Sequence, residues 1–578
     1  MSKFQADKKT SQTKNYIIGV VLVFLFLFLI SILATQHLAE TFNYNKALGT
    51  PIYQSYYNPL SWIIWSIDYS TDYPEVFKPF FMTMSGLIAL CFSVFVVIRL
   101  MALRKSKSYD SVHGTAHWAT EKEVEESQLL GNKRGVFVGG YKPKNKMYYL
   151  RHNGPEHILA FAPTRSGKGV GLVLPTLLSW SQSAVIIDIK GENWALTSGW
   201  RQKYANNKVM KFDPTCSDGS AVKYNALEAI RLETVHEVKD VQNICEILVE
   251  KESHNGKGDY FQKAAFSFLT GMILHLLYKA KLNNDRVPNL ATVFKSINDP
   301  EKDIYKILED MINFNHLGDK PHETVATIAR SLANKAEQEL SGVVGTASET
   351  LNVYADPLIE KNIEYSEFKI DDLMEYDQPL SLYLILKPSD KDRLRPVIKL
   401  LVNQILRKRT EDELRFENGR SVKNYKYELL FMGDEFTSLG RLDIFQESLA
   451  FMAGYGIKAY IIIQDITQLH NLYTRDESIM SNCHTRIAFT PNKIETAEVL
   501  SKMSGVTTVV KSHTTTSGKR TSLMLGNVSE SYQEVQRPLI TPDECMRLPE
   551  AKKDSNKRII ESGDMLIFPA GKAPIYGK

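Results

Sequence analysis

One short segment constrains this chain more than any other. An apolar run, His157 to Ala162, breaks into Pro163-Thr164-Arg165-Ser166-Gly167-Lys168-Gly169, and the pattern then resumes as a helix from Gly167 to Leu178. A buried strand, a small-residue turn and a helix make an anion site. The turn aims backbone N–H groups at a phosphate chain and the helix adds its positive end. Lys168 supplies a point charge for β- and γ-phosphates. The generic loop is GxxxxGK followed by Ser or Thr. Here Ala162 stands at the first glycine and Gly169 where the Mg²⁺-ligating hydroxyl belongs. Thr164, Arg165, Ser166, Gly167, Lys168, Gly169 and Val170 are the expected ATP-binding residues. The metal then leans on water, the phosphates and a distant carboxylate.

That carboxylate is supplied about 270 residues downstream. Leu429-Leu430-Phe431-Met432-Gly433 is an apolar strand ending in Asp434-Glu435. This is a Walker B pattern, with Asp434 near Mg²⁺ and Glu435 orienting or deprotonating the attacking water. A third strand, Ala459 to Ile463, ends in Gln464, an amide suited to sensing the γ-phosphate. Further strands are expected at Ala184–Asp188, Val209–Phe212, Leu380–Leu386, Arg486–Phe489, Thr507–Val510 and Met565–Phe568. Strand, turn and helix alternate as in an α/β domain with a largely parallel sheet. Asp188, Lys190 and Glu192 follow the second strand, close to where ligands bind in such sheets.

Between about 228 and 355 the strand pattern stops. Phe261, Ala265, Phe268, Met272 and Leu276 recur at helical spacing, and His322 to Tyr354 also reads as helix. The expected organisation is a nucleotide-binding domain in two parts, 105–227 and 356–578, interrupted by an all-α domain at 228–355.

Ahead of these lie two apolar stretches. Tyr16 to Gln36 has no charged residue, and Pro79 to Ile98 is a run of 20 uncharged residues. Roughly 20 apolar residues match a bilayer core. Lys3, Lys8, Lys9 and Lys14 precede the first stretch, and Arg99, Arg104, Lys105 and Lys107 follow the second. The positive-inside bias places both flanks in the cytoplasm and the loop, about 37–78, outside. The expected anchor is a two-helix transmembrane hairpin, with an N-terminal tail at 1–15 and everything after about residue 105 cytosolic. The first stretch is longer than the usual core of a cleaved signal peptide. Tyr53, Tyr56, Tyr57, Trp62 and Trp65 crowd the loop, as residues of a lipid interface or of a contact with another membrane protein do. The net charge of +4 does not by itself argue for nucleic acid, and the five cysteines show no CxxC pair or metal-ligand spacing.

Together the segments APTRSGKGVGLVLPTLLSW (162–180), IIDIKGENWALTSGWR (186–201), GDEFTSLGRL (433–442), YIIIQDITQL (460–469) and CHTRIAFTPN (483–492) resemble the type IV secretion coupling proteins, the conjugative TraG-like family. The resemblance covers nearly the whole chain, and Gly169 is typical of one branch of that family. It implies a RecA-like motor domain bearing an all-α domain. It also implies a homohexamer with ATP sites between subunits, in the bacterial inner membrane. The implied role is a receptor that passes a relaxase–DNA complex or effector proteins to inner-membrane components of a secretion channel. A site between subunits borrows an arginine from its neighbour, and Arg486 is the expected donor ahead of Arg441. The alternatives are a motor acting on single-stranded DNA, a chromosome-partitioning DNA pump, and a docking receptor that binds ATP without hydrolysing it. The stretch Lys552, Lys553, Lys557 and Arg558 reads as a solvated loop rather than a DNA channel.

Overall fold

Strands buried on both faces read as continuous apolar runs, and His157–Phe161, Ala184–Asp188, Leu380–Ile385, Leu429–Gly433 and Ala459–Ile463 are such strands in the computed structural model. It describes residues 25–104, 114–249, 260–411, 416–417, 420–421, 424–517, 527–556 and 558–578. The chain divides into two compact units, Met1–Asp110 and Ser111–Lys578.

In the first unit residues 25–41 are helical, followed by α1 (Ser61–Tyr69) and α2 (Pro74–Arg104). Among the described residues no helix is long and apolar enough to cross a membrane. The first expected span, 16–36, lies in part outside the described residues, as do the side chains of 94–104. The aromatics of the loop divide in two. Tyr57 and Trp65 are buried beside Leu38, Phe77 and Phe80. Trp65 Nε1 donates to Leu48 O at 3.1 Å, and Trp62 Nε1 to Ser31 Oγ at 2.8 Å. Tyr53 and Tyr56 are exposed, as are Tyr44 and Tyr73, and these remain available for an interface. The loop thus has a small core of its own, which uses indole N–H groups to satisfy buried oxygens.

The second unit opens with a hairpin, β1 (Val136–Tyr141) and β2 (Tyr148–His152). Next come β3 (His157–Phe161), α3 (Leu174–Ser179), β4 (Ser183–Asp188), α4 (Glu192–Tyr204) and β5 (Lys208–Phe212). A helical stretch then holds α5 (Glu237–Leu248), α6 (Tyr260–Asn283), α7 (Leu290–Ile297), α8 (Ile304–Asn313), α9 (Glu323–Ala333) and α10 (Glu337–Leu351). The sheet resumes with β6 (Leu380–Ile385), α11 (Lys391–Arg409), β7 (Leu429–Gly433), β8 (Ile457–Ile463), α12 (Ile466–Tyr473), β9 (Cys483–Ala488) and α13 (Ile494–Ser504). Last come β10 (Val506–Ser517), β11 (Asn527–Pro538), β12 (Lys552–Lys553), β13 (Ile559–Glu561), β14 (Met565–Pro569) and β15 (Ile575–Gly577).

Nine strands form one sheet in the order β15-β14-β9-β3-β8-β7-β4-β6-β5. The seven from β9 to β5 are parallel, and β14 and β15 extend the edge antiparallel. Alternate residues of β3 enter different cores. Leu159 and Phe161 join one, and Ile158 and Ala160 join the other, with Leu172, Val173 and Leu177 from the segment after the lysine turn.

Two expectations are corrected. Thr507–Val510 does not join this sheet: it lies in β10, which forms a separate two-stranded hairpin with β11 and a single bridge from Thr507 to Thr115. All four residues are half-buried, and two of them are threonine, whereas a strand covered on both faces is buried and continuously apolar. Helix α6 is also more than amphipathic. Ala265, Phe268 and Met272 are buried as expected, but so are Leu269, Ile273 and Leu274, because α5, α9 and α10 all pack on it.

Candidate functional site

The strands β3 and β7 are separated by β8 alone, so the lysine turn and the acid pair open at the same sheet edge. The turn is fixed by few contacts. Ala162 N–H donates to Ile463 O at 2.8 Å, and Ser166 N–H to Pro163 O at 3.1 Å. Arg165 (φ 66°) and Gly167 (φ 91°) both take left-handed backbone, which for Arg165 costs about 1–3 kcal/mol. A π-helical turn, Gly169–Val173, leads into α3; such turns cluster at functional sites.

Lys168 Nζ lies 2.9 Å from Asp434 Oδ1 and donates to Glu435 Oε1 at 3.5 Å. Glu435 too is left-handed, at φ 60° and ψ 51°. Asp434 Oδ2 accepts from Asn193 Nδ2 at 3.3 Å. Asp434 Oδ1 and Ser166 Oγ are closed off from solvent, and neither has a hydrogen-bond partner. The approach of Lys168 to Asp434 is thus an ion pair by distance that leaves the oxygen's lone pairs free. An unpartnered hydroxyl oxygen and a carboxylate oxygen held by Lys168, in residues of one phosphate cleft, fit the oxygen donor set a divalent cation such as Mg²⁺ takes.

All of Thr164 to Val170, with Asp434 and Glu435, line one cleft of about 850 Å³. Asp188, Lys190 and Glu192 line it as well. Asp188 is buried, and this pushes its carboxyl up from the usual range, partly offset by backbone N–H groups such as that of Trp194 at 2.8 Å. Gln464 is not on the cleft wall. It sits at the end of β8, half-buried, its N–H donating at 3.4 Å to Gln468 Oε1, which also accepts from Thr437 Oγ1 at 3.1 Å. Arg486 lies within β9, outside the cleft of its own chain, with Nε donating to Met480 O at 3.1 Å. Arg441 is paired with Asp443 at 2.6 Å.

Sequence reasoning missed several residues. Asn193 sits inside IKGENW beside residues that were singled out, but nothing local marks it as the partner of Asp434. Phe489, Thr490 and Asn492 line the cleft from the segment after β9, and Glu550, Lys553, Ile559 and Asp564 are among those that line it from the β12–β13 hairpin and its flanks. The basic stretch 552–558 is therefore more than a solvated loop. Lys553 faces the cleft, and Lys552 pairs with Glu561 at 2.8 Å. Lys557 lies outside the described residues.

A parallel sheet with a lysine turn on one strand and an acid pair one strand removed defines a P-loop nucleotide-binding protein of the RecA-like class. The solved structures agree. Plasmid coupling protein TrwB, in complex with the ATP analogue ADPNP, superposes with a TM-score of 0.56 at 14% identity, over 82% of this chain and 96% of that one. A second TrwB structure, with ADP and Mg²⁺, gives 0.54. Residues 107–578 match the family model described as type IV secretory system conjugative DNA transfer, and the chain belongs to that family. Among curated proteins it is 46% identical to the conjugal transfer protein TraG of Escherichia coli, over 94% of this chain and 88% of that protein. It is 26% identical to VirD4 of Agrobacterium fabrum, over 82% and 67%.

Proposed function

We propose that this chain is the coupling ATPase of a type IV secretion machine, binding ATP with Mg²⁺ and using turnover to hand cargo to the secretion channel. The observation that carries the reading is the meeting of Lys168 with Asp434 and Glu435 across two strands of one parallel sheet. The conjugal transfer named for TraG relatives favours a relaxase–DNA complex over effector proteins as cargo. The 228–355 domain, set between the nucleotide-binding parts 105–227 and 356–578, is the surface proposed to recognise that cargo.

Backbone N–H groups of Thr164 to Gly169 hold the phosphates, and Lys168 leaves the acid pair to contact the β- and γ-phosphate oxygens. Mg²⁺, when bound, neutralises charge on those oxygens. Asn193 fixes the Asp434 carboxylate. Released from Lys168, Glu435 orients a water and takes its proton on a carboxylate oxygen. Gln464, joined through Gln468 to the segment after β7, relays phosphate loss to the strand ends. Arg486 of a neighbouring subunit in a homohexamer completes charge neutralisation.

A two-span inner-membrane anchor belongs to this proposal. Its support is the uncharged run from Pro79 to Ile98 and the outward apolar surface of the first unit, where Leu33, Met82, Leu90 and Phe92 are each more than 60% exposed. Lipid and the channel's inner-membrane components are the surroundings that such a surface suits.

The test is ATP turnover of detergent-purified full-length protein beside Glu435→Gln, with and without single-stranded DNA. Turnover that disappears in the variant supports the hydrolytic site, and stimulation by DNA supports a motor acting on DNA. A wild type that binds ATP but never turns it over, even with its channel partners, would reduce the protein to a docking receptor.

A further inference from the structure

The P-loop of this chain lacks the hydroxyl that ordinarily follows the lysine, because residue 169 is glycine. A cation on the phosphates then has one protein oxygen fewer than the generic site offers. The structure holds a hydroxyl elsewhere in the same loop. Ser166 Oγ is sealed from solvent without a hydrogen-bond partner. Ten buried side-chain polar atoms among the described residues are in that condition, and three of them line this one cleft: those of Ser166, Asp434 and Asp564. Asp434 has Lys168 beside it and Asp564 has Lys578 at 2.5 Å. Ser166 has no charged neighbour of this kind. Native proteins rarely leave a buried hydroxyl unpaired, and the exceptions call for an absent ion or ligand.

We propose that Ser166 Oγ takes the place of the missing residue-169 hydroxyl, acting with Asp434 as a protein oxygen toward the nucleotide-bound divalent cation. This rests on the ATPase reading above. A serine oxygen is a hard ligand suited to Mg²⁺, and its proton remains free to bond a phosphate oxygen. The Ser166 N–H bond to Pro163 O at 3.1 Å holds the backbone of this residue in the turn. The other position is empty but not closed. A Cβ on Gly169 would meet nothing within 4 Å, and that backbone is not left-handed. The chain could therefore carry the ordinary hydroxyl there without a clash, which makes a rescue experiment possible.

The test measures ATP affinity of the full-length protein in Mg²⁺ and in EDTA. In Ser166→Ala the gain in affinity conferred by Mg²⁺ should fall by about tenfold or more, with affinity in EDTA unchanged. Adding Gly169→Ser to that variant should restore the gain. Compared with wild type, Ser166→Cys should shift in preference from Mg²⁺ to Cd²⁺, since a thiolate prefers softer metals; this signature depends on metal contact and not on folding. A loss in Ser166→Ala that is equal with and without Mg²⁺ would assign the hydroxyl to phosphate alone and overturn the proposal, as would no loss at all. Wild type that binds no ATP in either buffer would instead remove the ATPase reading, and this inference with it.

Discussion

Arg201 offers the sharpest test of how the nucleotide edge is held. It lies on α4 with none of its surface exposed. Burial pulls its pKa down to about 10, so it is charged at neutral pH. Among the described residues no carboxylate pairs with it. Its guanidinium donates to Leu177 O (2.7 Å), Trp180 O (2.5 Å), Gln182 O (2.8 Å), Asn207 Oδ1 (2.8 Å) and Ser381 Oγ (2.7 Å). Two of those carbonyls belong to the end of α3, the helix that follows the phosphate loop, and α4 begins beside Asn193, which holds Asp434. Arg201 therefore ties the loop's helix to the helix that positions the acid strand. Replacement by Met keeps the volume and leaves three buried carbonyls without donors. Charged donors contribute about 1.5–3 kcal/mol each and an orphaned buried acceptor costs about 1–3 kcal/mol. The ion's own desolvation offsets much of the sum, and a net loss of about 3–5 kcal/mol is expected for Arg201→Met. Arg201→Lys retains charge but not the planar fork, and about half that loss is expected. At roughly 2 °C per kcal/mol for a large domain, the melting midpoint falls by about 6–10 °C in the Met variant. The assay is thermal unfolding of detergent-purified protein, with nucleotide protection measured in parallel. A Met variant within about 1 kcal/mol of wild type, or a Lys variant indistinguishable from it, would refute the argument that this charge is retained for its fork geometry.

Three further outcomes follow from the same structure. His157 Nδ1 accepts from Ala459 N–H at 3.0 Å while Nε2 donates to Leu449 O at 2.9 Å, so the neutral ring is required, and burial pulls its pKa to about 4. The unfolded chain binds that proton at higher pH, so stability is full above about pH 6.5 and declines as pH falls toward 4. Melting curves of His157→Gln, which cannot titrate, should show a shallower decline than wild type, and an unchanged slope would exclude this histidine. Asn193→Asp sets a second carboxylate against Asp434; the Mg²⁺ concentration for half-maximal ATPase should shift by several-fold, with Asn193→Ala shifting it less. Gly456→Ala places a Cβ 2.3 Å from the Tyr425 ring on a left-handed backbone at φ 77°, and a loss of about 2 kcal/mol or more in stability is expected, read from thermal unfolding.

The sheet was legible because its strands are covered on both sides. His157–Ala162 and Leu429–Gly433 are unbroken apolar runs, and each ends where chemistry begins. The site's supporting residues were not legible, because topology alone assembles them. Asn193 and Asp434 are 241 positions apart, and an asparagine inside IKGENW has no local mark of its partner. Lys553 in a basic stretch resembles any solvated surface until the β12–β13 hairpin is placed over the phosphate loop. Tyr57 and Trp65 carry the composition of a lipid interface, yet here they fill a small core, a choice made by neighbours that hydropathy does not encode. Gly169 was legible as an absence, while the hydroxyl three residues earlier gained meaning only once its lack of a partner could be seen.

Charge bookkeeping in the cleft explains why so much of the machinery has to come from outside the chain. Its wall carries four basic side chains, Arg165, Lys168, Lys190 and Lys553, against six acidic ones, Asp188, Glu192, Asp434, Glu435, Glu550 and Asp564. Even if Asp188, with its raised pKa, is counted neutral, the acids outnumber the bases. Lys168 is in addition held between the two carboxylates it has to leave. A triphosphate entering alone would meet net repulsion, made worse where the cleft excludes water. Asp434 would hold a divalent cation that offsets this excess of acid, leaving Lys168 free for the phosphates. Hydrolysis would then spread charge over the departing phosphoryl oxygens, and Arg165 is the arginine that the cleft wall offers to receive it. An arginine from a neighbouring subunit would add to that neutralisation, and on the proposed function turnover would then depend on assembly.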